Sequence, residues 1–292
     1  MNIPTLYTID KKSYMVFKLL NDMVIINGYE MLSKDVNITD MCAAINNNNK
    51  QISQLFLTII ETTESLNLIH LMTQALENCE TNIYLHFSAC NTCDKEIKYL
   101  NKILETNKKI TLLNLKYDMT DEQINYLSNT LKINKTIKYL YLDFENISNE
   151  GIKHFFGALK NNDVVKYLNL SNNKIDGKVI KYLSNMLKIN KKIKNVILNW
   201  NNLDHSKLKN QDMKYLSDML KINKILKILS IFNNSFNYDN AKYLIDSLEF
   251  NNTLTKLKHH YASSYDSIPN INAKYLKNIL CKNIIIKNNI YN

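Results

Sequence analysis

The feature that most constrains this chain is a strand–turn–helix unit that returns about every 28 residues. It is clearest over residues 165–192, VKYLNLSNNKIDGKVIKYLSNMLKINKK. Val165, Leu168 and Leu170 mark a short strand with one buried face, and Asn172 and Asn173 a turn. Ile175 is an apolar anchor, and Ile180, Leu183 and Leu187 recur at helical spacing. Equivalent strand starts fall at Ile52, Asn82, Ile110, Ile137, Val165, Ile193, Leu226 and Leu254, giving intervals of 30, 28, 27, 28, 28, 33 and 28. The helical half is repeated nearly verbatim: IKYL at 97–100 and 180–183, INYL at 124–127, MKYL at 213–216, AKYL at 241–244 and 273–276. Phe155 and Phe156 stand in for it once. Every period switches from alternation to helical spacing at the same point, so the array is a solenoid of two-element units.

A repeat cannot bury its apolar face alone, so a stack needs covered ends. Residues 52–285 are read as eight repeats, residues 1–51 as a helical N-terminal cap, and residues 286–292 as the C-terminal end of the array. Within the cap, the apolar spacing of residues 11–23 predicts an amphipathic helix, residues 24–26 a degenerate first strand, and residues 38–45 a helix leading into the array. With 45% hydrophobic residues over 292 positions a continuous core is affordable, and 4 Gly with 2 Pro argue against linkers or a multi-turn all-β fold. Inserts around 204–211 and 263–270 are expected on one rim, between strand and helix.

The run Val165-x-x-Leu168-x-Leu170-x-x-Asn173-x-Ile175, followed by a helix, resembles the leucine-rich repeat in its long, ribonuclease-inhibitor-like form. Asn201 and Asn234 share the position of Asn173, while Cys90, Asp118 and Glu145 replace it elsewhere, and His259 stands where a strand leucine belongs. The resemblance implies a curved α/β horseshoe with a parallel sheet on its concave face and helices on its convex face. It also implies a non-enzymatic scaffold or inhibitor that binds a protein through that sheet. Some proteins of this repeat form activate small GTPases from a rim, commonly with an acidic tail, whereas residues 282–292 here are basic.

Catalytic and cofactor classes find no support. The six histidines are scattered without a triad spacing, the four glycines make no phosphate loop, and no cofactor or metal is expected. Cys90-Asn91-Thr92-Cys93 lacks the second pair that a zinc site needs, so Cys90 reads as a buried turn residue and Cys93 as a loop thiol. Five cysteines in no even framework point to a reducing, cytoplasmic setting. Neither a signal-peptide pattern nor an apolar run long enough to span a bilayer is present, so no membrane partner is expected. The formal charge of +10 comes entirely from lysine, and the register puts it mainly on the helical side. Lysines near helix C-termini complement the helix dipole, so nucleic-acid binding there is the disfavoured alternative.

What remains is the sheet. Residues between and just after the strand leucines face outward, and aromatics recur among them: Tyr84, Tyr117, Tyr139, Tyr141, Phe144, Tyr167, Trp200 and Phe232, with Ile197 beside them. Neighbouring strands lie about 4.8 Å apart, so a contiguous aromatic patch flanked by Asn and Ser is expected. Tyrosine and tryptophan also suit pleated surfaces for their own sake. Aromatic clustering at this scale nevertheless favours a protein partner of unknown identity, bound by a monomer.

Overall fold

The computed structural model describes residues 14–20, 23–26, 29–32, 54–60 and 82–258, except 89–93, 117–118, 144–145, 174, 202–209 and 232–237. The expectations for the helix at 38–45, the inserts at 204–209 and 263–270, Cys90, Cys93 and residues 286–292 lie outside the described residues. The strands are β1 Tyr14–Leu20, β2 Met23–Ile26, β3 Tyr29–Leu32, β4 Gln54–Ile60, β5 Asn82–Ser88, β6 Ile110–Lys116, β7 Tyr139–Leu142, β8 Tyr167–Asn169, β9 Asn195–Ile197, β10 Ile228–Ser230 and β11 Lys256–Lys258. The helices are α1 Asp94–Thr106, α2 Asp121–Ile133, α3 Asn149–Leu159, α4 Gly177–Ile189, α5 Asn210–Ile222 and α6 Tyr238–Leu248. The alternation predicted from the period is present from β5 onward. The chain divides into two compact units, Met1–Asp118 with Ile133–Tyr141 and Met119–Lys132 with Leu142–Asn292.

In the first unit β4, β5 and β6 run parallel, and β1 lies parallel to β4. β2 and β3 then fold back antiparallel. Residues 14–20 are therefore strand, not part of the helix expected over 11–23, while the strand expected at 24–26 is β2. The reason is tertiary: Tyr14, Val16 and Phe17 suit a strand, and the open edge of β4 offers a full ladder from Gln54 to Ile60. Ile83 and Leu85 of β5, Leu113 and Leu115 of β6, and Ile97, Leu100 and Leu104 of α1 form this unit's core, each at most 3% exposed. Burial of each contributes on the order of 1.5–3 kcal/mol.

In the second unit β8, β9, β10 and β11 are parallel neighbours in chain order. Leu168, Val196, Leu229 and Leu257 pair in one row that faces the core. Helices α3, α4, α5 and α6 pack side by side behind it. α4 shows why each helix starts where it does. The Asp176 carboxylate accepts from the Lys178 and Val179 N–H groups, and Val179, Ile180, Leu183, Met186 and Leu187 then line the buried face. Ser148 caps α3 in the same way through the Gly151 N–H.

Two asparagine ladders hold successive repeats together. In the turn that follows each strand, the Asn173 amide donates to the Leu142 carbonyl at 2.9 Å and the Asn201 amide to the Leu170 carbonyl at 2.8 Å. Both side chains are buried, as the repeat pattern predicts. A second ladder, not foreseen from that pattern, runs at the opposite end of the strands, where each helix gives way to the next strand. Asn190 is its model rung. Its amide donates to the carbonyls of Leu159 (2.7 Å) and Asn162 (3.0 Å), and its oxygen accepts from the Lys192 and Ile193 N–H groups, both at 2.8 Å. One amide thus closes its own turn and ties it to the preceding repeat. Asn162, Asn223 and Asn251 do the same within the second unit, and Asn134 within the first. Asn107 closes its turn with Lys109 and Ile110.

Candidate functional site

In the second unit the register sorts the outward face of the sheet into rows. Tyr167, Asn195, Ile228 and Lys256 pair across it, and Asn169, Ile197, Ser230 and Lys258 form the next row. Tyr167 and Ile197 are half-exposed, as expected. Ser230, which strand alternation puts on the same face as Ile197, is only 1% exposed. Its short side chain lies beneath the Asn199 amide, and its hydroxyl donates to the Asn199 oxygen at 2.7 Å.

The turn after β9 sets the geometry of the site's most exposed aromatic. Asn172 and Trp200 occupy the same place in consecutive repeats, each just before a ladder asparagine, and their φ angles are 61° and 57°. They are the two non-glycine residues with positive φ among the described residues. Asparagine tolerates left-handed backbone, whereas a bulky side chain there is a true outlier. The two turns are joined by the Asn172 N–H donating to the Asn199 carbonyl at 2.9 Å. Trp200 is 59% exposed. It is the chain's one tryptophan, held where its own backbone is disfavoured and much of its ring meets water.

Among the described residues of the second unit, Tyr167 and Trp200 stand at different ends of the sheet. Trp200 lies five residues beyond Asn195, the partner of Tyr167, and in the turn past the end of β9. Tyr167 therefore sits at the end of the sheet where strands begin, and Trp200 at the end where they finish. In the first unit, Tyr84 pairs with Leu112 and is half-exposed, Tyr139 is 41% exposed, and Tyr141 is half-exposed. Tyr117, Phe144 and Phe232 lie outside the described residues. His86 also belongs to this first face. Burial, then the Lys116 ammonium, holds its imidazole below the ordinary value, favouring the neutral form. Among the described residues, no group of three or more His, Cys, Asp or Glu side chains is placed to hold a metal ion, and no helix is long and apolar enough to cross a membrane.

A feature of the sequence itself sets Trp200 apart from the other aromatics. Aligning it with Asn172 one repeat earlier reveals a turn position where asparagine is the comfortable residue and tryptophan the costly one.

No protein-family model matches the chain, and no curated protein matches it. Solved structures do. The leucine-rich repeat-containing protein LegL7 from Legionella pneumophila is similar over 91% of this chain and 79% of its own, with 18% identity and a TM-score of 0.59. A structure of leiomodin-1 actin-binding site 2 is 22% identical, covering 59% of this chain and 91% of its own, with a TM-score of 0.47. The tropomodulin C-terminal domain from Caenorhabditis elegans is 14% identical, covering 56% of this chain and 95% of its own, with a TM-score of 0.46. The alternating parallel strands and helices, the turn asparagines and the likeness to LegL7 identify the chain's architecture as the α/β leucine-rich-repeat fold in its long, helix-bearing form.

Proposed function

We propose that the chain recognises a protein partner without catalysing a reaction, and that in the second unit the contact centres on Trp200, with Asn172, Asn199 and Ile197 around it. The observation that carries this reading is the exposure of a tryptophan on left-handed backbone, at a position where the preceding repeat uses asparagine. Strained residues persist where function retains them. A large aromatic ring beside short amides is the composition of an interface hot spot. Tyr167, at the far end of the same sheet, is a second and separable contact. Tyr84, Tyr139 and Tyr141 are the corresponding candidates on the first unit's own face. A reducing, cytoplasmic setting and a monomeric state fit the cysteine pattern and this mode of binding.

The test is affinity capture from cell extract with the wild type, Trp200→Asn and Tyr167→Ala side by side, followed by titration of whichever protein is retained. Trp200→Asn keeps the backbone preference of the turn and removes only the ring. Its loss should weaken the titrated affinity about thirtyfold or more, as removal of a hot-spot side chain costs about 2 kcal/mol or more. Equal affinity of wild type and Trp200→Asn for every retained protein would refute the assignment. The same tryptophan is the chain's sole indole fluorophore, so a partner seated on it shifts its emission directly.

A further inference from the structure

Six large apolar side chains are exposed among the described residues, and four of them, Ile133, Ile189, Ile222 and Phe250, stand at one repeat position, immediately before the exit-ladder asparagine. Singly, an exposed isoleucine needs no explanation; recurrence at one register position does. In the second unit the exit-ladder bonds of Asn223 and Asn251 place Ile189, Ile222 and Phe250 on successive repeats along one edge. Packed helices are about 8–10 Å apart, so the row runs for roughly 20 Å. It lies where the strands begin, at the opposite end of the sheet from Trp200.

Lysines accompany the row. Lys188 precedes Ile189 and Lys191 and Lys192 follow it closely; Lys221 and Lys224 bracket Ile222. The last two also hold Phe250. The Lys221 ammonium lies 5.7 Å from the ring centroid, and Lys224 donates to the Phe250 carbonyl at 2.8 Å. The helix ends of α4, α5 and α6 point to this edge and contribute roughly half a negative charge each. Five lysines against Glu249, against Asp218 and Asp246 one turn back from Ile222 and Phe250, and against those three ends leave the edge slightly positive, so neutralising helix dipoles does not by itself account for all of them. Nor does it account for the apolar side chains.

We propose that this edge of the second unit binds an anionic lipid surface, with Ile189, Ile222 and Phe250 entering the headgroup boundary and the flanking lysines meeting acidic headgroups. One feature favours a bilayer over an acidic protein segment. The apolar side chains project from helix ends, whereas an amphipathic helix is received in a groove. Absence of a membrane-spanning run bears on insertion across a bilayer and leaves this peripheral mode open. The inference goes beyond the partner site, since the two lie at opposite ends of the strands and could be engaged together.

Co-sedimentation of the full chain with phosphatidylcholine vesicles, with and without phosphatidylserine, tests it. The chain should partition onto the phosphatidylserine vesicles, weakly onto phosphatidylcholine alone, and less as salt rises. Each lysine near an anionic surface is worth roughly a fivefold change in partition. The triple variant Lys188→Gln, Lys191→Gln, Lys192→Gln and the triple variant Ile189→Ser, Ile222→Ser, Phe250→Ser should each lose at least tenfold, with thermal melting to confirm folding, and Trp200→Asn should bind as wild type. The proposal is overturned if neither vesicle binds at low salt, or if the serine variant binds as well as wild type, which would mean charge adsorption alone. It is equally overturned if an acidic amphipathic peptide binds this edge while vesicles do not.

Discussion

The two ends of the second unit's strands solve one problem with the same residue and leave different freedom behind. At both, a buried asparagine amide reaches a carbonyl of the preceding repeat. At the helix exit the same amide oxygen also closes its own turn onto two N–H groups, and Asn162, Asn190, Asn223 and Asn251 follow one another without a substitution. At the strand exit the ladder accepts variation: the sequence places Cys90, Asp118 and Glu145 at positions equivalent to Asn173. The residue just before it is exposed and changes from Asn172 to Trp200 without altering the backbone. A rung that both closes a turn and bridges repeats has no room to vary, and recognition settles where the scaffold asks less.

The largest effect should come from cutting the exit ladder. Asn190→Leu strands the Asn162 carbonyl and the N–H groups of Lys192 and Ile193, and leaves the Leu159 carbonyl with the Asn162 N–H alone; at about 1–3 kcal/mol per unsatisfied buried group, partly relieved by water at the turn, it should cost about 3–5 kcal/mol. Asn173→Leu removes the bridge to the Leu142 carbonyl and should cost about 1–3 kcal/mol. Denaturant titration of both variants gives the comparison directly. If Asn173→Leu proves as damaging as Asn190→Leu, the asymmetry between the two ends is wrong.

The array was readable because its period is written twice, once in strand alternation and once in the IKYL-type helical half, and each strand from β5 to β11 falls within two residues of its expected start. The exit ladder is equally regular in the sequence. Asn107, Asn134, Asn162, Asn190, Asn223 and Asn251 each precede a repeat's first core residue by three positions, but asparagine is so common in this chain that the regularity hides among turn residues. Residues 14–20 depart from the expected helix for a different reason, while the strand expected at 24–26 is present. The spacing of Met15, Leu19 and Met23 suits a helix, yet the two-residue breaks Asn21-Asp22 and Asn27-Gly28 between apolar runs are hairpin signals, and pairing with β4 decides the outcome. At the candidate site, sequence identified Trp200 as outward but could not supply its φ angle, which depends on the ladder asparagine beside it.

The smaller predictions exchange the two turn residues. Asn172→Trp places a bulky side chain on backbone with φ 61° and should cost about 1–2 kcal/mol. A smaller loss, read from the denaturant midpoint, would show that this turn is indifferent to its side chain and would remove the argument that Trp200 is costly where it stands. The reciprocal change should do least. Trp200→Asn relieves about 1 kcal/mol of left-handed strain and forfeits the contacts of a ring that is mostly in water, so stability should stay within about 1 kcal/mol of wild type. Truncating a tryptophan that served the core would instead cost about 3–5 kcal/mol. A loss of that size would make Trp200 a packing residue and return the binding site to the tyrosines. A near-neutral melt coupled to lost binding would separate the residue that recognises from the asparagines that hold the turn.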